Sequence, residues 1–277
     1  MGHPAELSPL DLVNGRYGRD ELALLPDFNA TLETLLAHRS VRAFTSQPLP
    51  PGTLELLVAA AQSAPSSSNL QVWSVIAIED SARKARLAAL ANNQAHIVEA
   101  PLLLLFTADL ARLKRVAGQR DEQIAGLDYL DTLVMGFIDA ALAAQNALVA
   151  AESLGLGTVY IGALRNKPEA VAEELGLPKQ VFPAFGLVVG HPDPARPASV
   201  KPRLSQRTVL HREQYSNTQQ DEAVADYDTV IQAFQATQQL PQQPWSQQAV
   251  GRLRGPETLG GRDRLAEALR NRGFVFQ

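Results

Sequence analysis

The sequence predicts an α/β or α+β fold with a mixed central sheet surrounded by helices. Short apolar runs of strand length alternate with helical stretches along most of the chain. One stretch, Val134–Leu154, is apolar on nearly all sides and too long for a strand. No internal repeat divides the chain, and no second domain stands out. The expected organisation is an N-terminal extension, residues 1–26, followed by one domain over residues 27–277 that ends in helices.

The elements follow in order. Residues 1–26 are rich in turn formers and weakly periodic. Asn29–Ala37 places Leu32, Leu35 and Leu36 on one helical face, with Asp27 or Asn29 as cap. Pro48, Pro50, Pro51 and Gly52 break the chain, and Thr53 is placed to cap a helix through about Ala64. Pro65 stops that helix, because the residue before proline resists the helical region. Val72–Ile78 and Pro101–Thr107 are buried strands, with an amphipathic helix at Ser81–Leu90 between them. Val134–Leu154 needs partners around its whole girth, at the centre of a monomer or at a subunit interface. Gly155-Leu156-Gly157 ends it, glycine being suited to a left-handed cap. Thr158–Ile161 and Phe185–Val189 are further strands, joined by a helix at Pro168–Leu175. The tail holds a helix at about Glu222–Gln235, a Gln/Pro-rich link and a last helix near Arg262–Arg270.

Composition narrows the function. A formal net charge of −4 and the lack of a basic stripe argue against a nucleic-acid partner. The chain has no cysteine, which excludes disulfides, thiolate nucleophiles and cysteine-ligated metal centres. That fits a reducing compartment, and a cytoplasmic location is expected. Met1–Leu12 lacks the basic start and apolar core of a secretory signal. Val134–Leu154 is long enough to span a membrane, but Asp139, Gln145, Asn146 and Glu152 interrupt it, so a buried helix and no membrane partner are expected.

Familiar chemical engines are absent from the sequence. Gly155-Leu156-Gly157-Thr158-Val159-Tyr160 begins like a dinucleotide fingerprint but lacks the third glycine and stands in helix-then-strand order. There is no Walker A loop and no Gly-x-Ser-x-Gly elbow. His3, His38, His96, His191 and His211 show no metal-ligand spacing.

Three clusters remain: His38-Arg39-Ser40-Val41-Arg42, Pro65-Ser66-Ser67-Ser68-Asn69-Leu70-Gln71 and Lys201-Pro202-Arg203. Each alone has an ordinary explanation, as a helix end, a loop cap or a solvated turn. Together they hold guanidinium, ammonium, hydroxyl and amide donors, the set that grips a phosphate and a polar heterocycle. The expectation is a protein that binds a phosphate-bearing cofactor and adds little chemistry of its own.

The combination also resembles a family. His38–Phe44 followed by Pro48, then Ala64–Gln71, is similar to the opening of the nitroreductase family of flavoproteins. The match sharpens at Ala144-Gln145-Asn146-Ala147-Leu148, at Ala151–Gly157 and at Val159-Tyr160-Ile161-Gly162-Ala163-Leu164-Arg165-Asn166. It continues through Glu174–Pro178, Phe185-Gly186-Leu187 and Lys201-Pro202-Arg203-Leu204, and covers roughly residues 28–274. The set is similar to the oxygen-insensitive NADPH nitroreductase and NADPH–flavin oxidoreductase branch.

That resemblance implies an α+β fold in an intertwined homodimer, with FMN at the interface and the C-terminal helices as an arm on the partner. His38 and Ser40 would lie at the FMN phosphate, with Lys201 and Arg203 closing over it and Arg39 in the same run. Arg42 would reach the pyrimidine edge of the ring, where a cation stabilises negative charge at N1/O2. Ser66 and Gln94 would hydrogen-bond the ring or ribityl chain, with Asn69 and Gln71 nearby. Tyr160, Ile161, Gly162 and Ala163 would pass along the ring, with no catalytic side chain and no metal. The implied activity is ping-pong reduction of nitroaromatics, quinones or flavins with NADPH or NADH; the alternative is a flavin-binding module for storage or signalling. One departure stands out. The branch usually carries basic residues after the helix matching Glu222–Gln235, thought to read the NADPH 2′-phosphate. Here Ala236-Thr237-Gln238-Gln239-Leu240-Pro241-Gln242-Gln243-Pro244 has no cation, so weak discrimination between NADPH and NADH is expected.

Overall fold

The computed structural model describes residues 8–277. The strands are β1 (Trp73–Ile78), β2 (Leu102–Asp109), β3 (Gly157–Ile161) and β4 (Val181–Gly190). They form one sheet in the order β1-β2-β4-β3. Every pairing between them is antiparallel. The expected mixed sheet is corrected accordingly: among the described residues, parallel pairing is confined to an isolated bridge between Ser40 and Thr158. The fold class is α+β.

The helices in chain order are α1 (Pro9–Tyr17), α2 (Ala30–Leu36), α3 (Thr53–Gln62), α4 (Ser81–Leu90), α5 (His96–Glu99), α6 (Ala111–Gln119), α7 (Leu130–Ser153), α8 (Pro168–Glu174), α9 (Gln206–Val209), α10 (Gln220–Thr237), α11 (Trp245–Arg252) and α12 (Leu265–Asn271). The chain divides into two compact units. The first takes the residues up to Arg39 and Ser199–Thr258; the second takes Ser40–Ala198 and Leu259–Gln277.

The second unit holds the sheet, whose central strands β2 and β4 are buried on both faces, while β1 is mostly half-buried. Leu103 and Leu105 of β2 pack with Leu87 and Ala88 of α4 and Val171 of α8. The alternate residues Leu102, Leu104 and Phe106 pack with Leu57 of α3 and the alanines of α7. Two covered faces explain why β2 is apolar without alternation. On α7, Ala140, Ala143, Ala144, Ala147 and Ala151 have no accessible surface. By length and composition α7 could cross a membrane, yet this face is core packing. Its other side carries Leu130, Val134, Ile138 and Leu142, which are 51%, 41%, 50% and 39% exposed. Gly155 follows with a left-handed φ of 76°, as expected of the cap.

The first unit is helical. Asn29 caps α2 by accepting from the Leu32 N–H at 3.1 Å. Residues 8–26 carry α1, whose Ser8 and Asp11 form a reciprocal capping box. At α3 the cap is Gly52 in the left-handed region, not Thr53, which is the first helical residue and is buried. Thr53 lies inside the helix, so its hydroxyl is not at the capping position.

Candidate functional site

The first unit holds His38, Arg39, Lys201 and Arg203. The Arg16 guanidinium joins their two segments. It donates to the carbonyls of Leu36 at 2.7 Å and His38 at 2.6 Å, and to that of Lys201 at 3.2 Å. Arg203 Nη1 donates to the Lys201 carbonyl at 3.3 Å, and Arg39 Nη1 to the Ala37 carbonyl at 3.2 Å. The Arg39 contact is the helix-end role its position suggested. A cavity of about 830 Å³ opens beside the segment, lined by Lys201, Arg203, Tyr227, Phe234, Gln243 and Trp245 among others. Tyr227 and Trp245 meet edge to face at 5.8 Å between centroids, and the Tyr227 hydroxyl donates to the Pro202 carbonyl at 2.8 Å.

The second unit holds Ser40, Arg42, the serine loop, Gln94 and Tyr160–Ala163. Ser40 and Arg42 are set against β3 through the Val41 N–H, which donates to the Thr158 carbonyl at 2.9 Å. Gly157 permits that approach: a Cβ there would stand 2.9 Å from Val41 and 3.0 Å from Pro192. Arg42 is exposed. It also depresses protonation of His96, whose imidazole is pushed below its ordinary pKa first by burial and then by this cation, against the pull of Glu99. The Gln94 amide donates to the Ala91 carbonyl at 3.0 Å, which fixes the side chain beside the same turn.

The serine loop is organised by Asp139, buried in the middle of α7. Ser66 Oγ donates to Asp139 Oδ2 at 2.6 Å, and the Ser67 N–H to Oδ1 at 3.1 Å. The Gln71 N–H then donates to Ser66 Oγ at 2.8 Å. These bonds hold Ser68, Asn69 and Gln71 at positive φ of 49°, 55° and 52°. Such backbone costs about 1–2 kcal/mol per residue outside glycine. Ser66 has therefore spent its proton, and its oxygen retains one acceptor site for a ligand. Ser66, Asn69 and Gln71 line a second cavity of about 740 Å³ with Trp73 and Arg112.

Tyr160 stands at the exposed edge of β3 against Phe185, with centroids 5.3 Å apart. Burial and the nearby Glu152 carboxylate push its phenol up, so the hydroxyl stays protonated. Ile161 is buried, and the chain then turns through Gly162–Asn166. A methyl at Gly162 would meet the Arg165 guanidinium at an ordinary 3.5 Å and that of Arg262 at 3.9 Å. Arg165 donates to the Ala184 carbonyl, and its own pKa is lowered by burial and by Arg262.

Two functional candidates escaped sequence reasoning. Asp139 did leave a signal, a lone carboxylate in an apolar helix, but it was weighed only against a membrane span. Arg16 left none, since nothing local marks its reach to three distant carbonyls. Among the described residues no cluster of His, Cys, Asp or Glu is arranged to hold a metal ion.

These features define an α+β protein that carries cationic side chains in both units and amide side chains beside the serine loop. Comparison with known families is specific about the class. Residues 35–191 match the nitroreductase family, and residues 201–277 match the C-terminal domain of the nitroreductase family. The chain belongs to the nitroreductase family. It is 40% identical over 229 residues to an NADPH-flavin oxidoreductase of Vibrio harveyi, covering 82% of this chain and 92% of the relative. It is 43% identical over 207 residues to an FMN reductase [NAD(P)H] of Bacillus subtilis (strain 168), covering 74% and 80%. The solved structure of NfrA2 from B. megaterium superposes with a TM-score of 0.85 at 38% identity, covering 90% of this chain and all of that one.

Proposed function

We infer that this protein is an FMN-dependent NAD(P)H oxidoreductase that reduces nitroaromatics, quinones or flavins. The observation that carries this is the Arg16 bridge, because it makes neighbours of two cationic segments that family resemblance assigns to one phosphate. The relatives' names agree in activity.

The donor chemistry present fits FMN. In the first unit Arg39, Lys201 and Arg203 offer cationic donors to a phosphate, and the His38 ring offers an N–H. In the second, Ser40 extends the same run, and exposed Arg42 suits the electron-rich pyrimidine edge. Ser66 offers an acceptor to a ribityl hydroxyl; Asn69, Gln71 and Gln94 offer amides. Tyr160, Ile161, Gly162 and Ala163 would offer an edge of backbone for the ring to lie along. Bound FMN would supply two-electron chemistry, with NADPH or NADH as reductant and a nitro compound, quinone or flavin as acceptor in a ping-pong cycle. The chain's part is orientation, charge and exclusion of water.

The exposed stripe on α7 supports a homodimer, and the C-terminal helices suit an arm on the partner. The FMN-binding domain is assigned to residues 27–277, and the cysteine-free composition fits a cytoplasmic location. The nucleotide preference is open to direct measurement. The cations lining the first cavity are Arg16, Lys201 and Arg203, and none comes from Gln235–Gln248. Stopped-flow reduction of the bound flavin by NADH and NADPH, then reoxidation by nitro and quinone acceptors, tests the activity. The expected kcat/KM ratio stays below about a hundredfold, or about 2.7 kcal/mol. A larger NADPH preference overturns weak discrimination, and no reduction by either nucleotide overturns the enzyme reading.

A further inference from the structure

We propose that Arg16 is a positioning residue for the cofactor phosphate, and that the helix carrying it makes the N-terminal stretch part of the binding site rather than an appendage. The proposal rests on the assignment of His38, Lys201 and Arg203 to the FMN phosphate.

The half-buried Arg16 guanidinium holds the Leu36 and His38 carbonyls on one side and the Lys201 carbonyl on the other. A planar fork with five N–H donors can bind several acceptors in fixed relative positions; a lysine ammonium lacks that geometry. The distance between the two segments is thereby set by one rigid group. The contact also acts on the backbone. In a trans peptide the N–H points opposite the C=O, so a cation on the His38 carbonyl orients the Arg39 N–H away from Arg16 and polarises it. Such an N–H is a phosphate donor in kind.

The rest of the stretch is built to hold Arg16 in place. The Arg203 N–H donates to the Arg16 carbonyl at 2.9 Å, so Arg16 is tied to the Lys201–Arg203 segment by its backbone as well as its guanidinium. Gln206 donates its backbone N–H to Glu21 Oε1 at 2.6 Å and its amide to the Tyr17 hydroxyl at 3.2 Å. The Ser8–Asp11 capping box fixes the other end of α1. Residues 8–21 are thus bonded to the Lys201–Gln206 run at several points.

The test compares FMN with riboflavin, which keeps the ring and ribityl chain but lacks the phosphate. Equilibrium dialysis of the full-length protein against each ligand gives the preference for FMN. Arg16→Ala is expected to lose about tenfold of that preference, the worth of one well-placed charge-assisted hydrogen bond. Riboflavin affinity should stay within about twofold. Arg16→Lys should fall between the two, and it decides the matter where Arg16→Ala does not fold. An unchanged preference in either folded variant overturns the proposal, as does a parallel loss of both ligands, which marks a merely structural role. If the wild-type protein holds FMN no better than riboflavin, the phosphate assignment itself falls and takes the proposal with it.

Discussion

His96 shows what a single buried group does to pH behaviour. It lies 8% exposed, and its Nε2 makes no hydrogen bond. Burial, seconded by the Arg42 charge, keeps the imidazole neutral in the folded state, with Glu99 opposing. The folded pKa is lowered, so the unfolded chain binds a proton first as pH falls. The associated stability is full above the unfolded value of about 6.5 and declines as pH drops below it. Melting temperature should fall more steeply from about pH 6.5 downward in wild type than in His96→Gln. Parallel curves by scanning calorimetry would sink this.

At the scale of elements, the serine loop depends on α7. Three positive-φ residues are held by one carboxylate that reaches Ser66 and Ser67 from the middle of a helix. Asp139→Asn keeps the volume but turns one acceptor into a donor that faces donors. A loss of about 1–3 kcal/mol in urea unfolding is expected, with weaker flavin retention. A variant equal to wild type in both measurements would show that the loop stands by itself. This dependence also marks how far sequence could be followed. The strands were legible because β2 and β4 are apolar runs bounded by turn formers, and the α2 cap because Asn29 acts on its own N–H neighbours. The cap was misplaced onto Thr53 because the helix takes that residue in as its first, a boundary one position off that residue type alone does not fix. Strand direction in the sheet was likewise invisible, since hydrophobic pattern says which residues are buried but not which way a neighbour runs. Asp139 was visible as a residue and unreadable as an anchor, because its partners lie far away along the chain.

At the scale of the whole molecule, the outward stripe of α7 is the main clue to assembly. Leu130, Val134, Ile138 and Leu142 recur every fourth residue and stay about half exposed in the single chain. Burying each fully is worth roughly 1 kcal/mol at about 25 cal/mol per Å². Ile138→Glu should shift the protein from twice the chain mass toward the chain mass in sedimentation velocity, and flavin retention should fall with it. A variant that still sediments as wild type would remove the stripe from the interface.

The opposite side of that helix governs which changes the chain tolerates. Ala140, Ala143, Ala144, Ala147 and Ala151 have no accessible surface and sit within the core cluster. Each acts as a spacer of fixed width between α7 and its neighbours. An enlarged side chain there forces backbones apart at about 1–3 kcal/mol, more than many larger core residues lose by a conservative exchange. Mutational scanning should therefore find its least permissive positions among the smallest side chains, where a gain of bulk is worse than a loss of it.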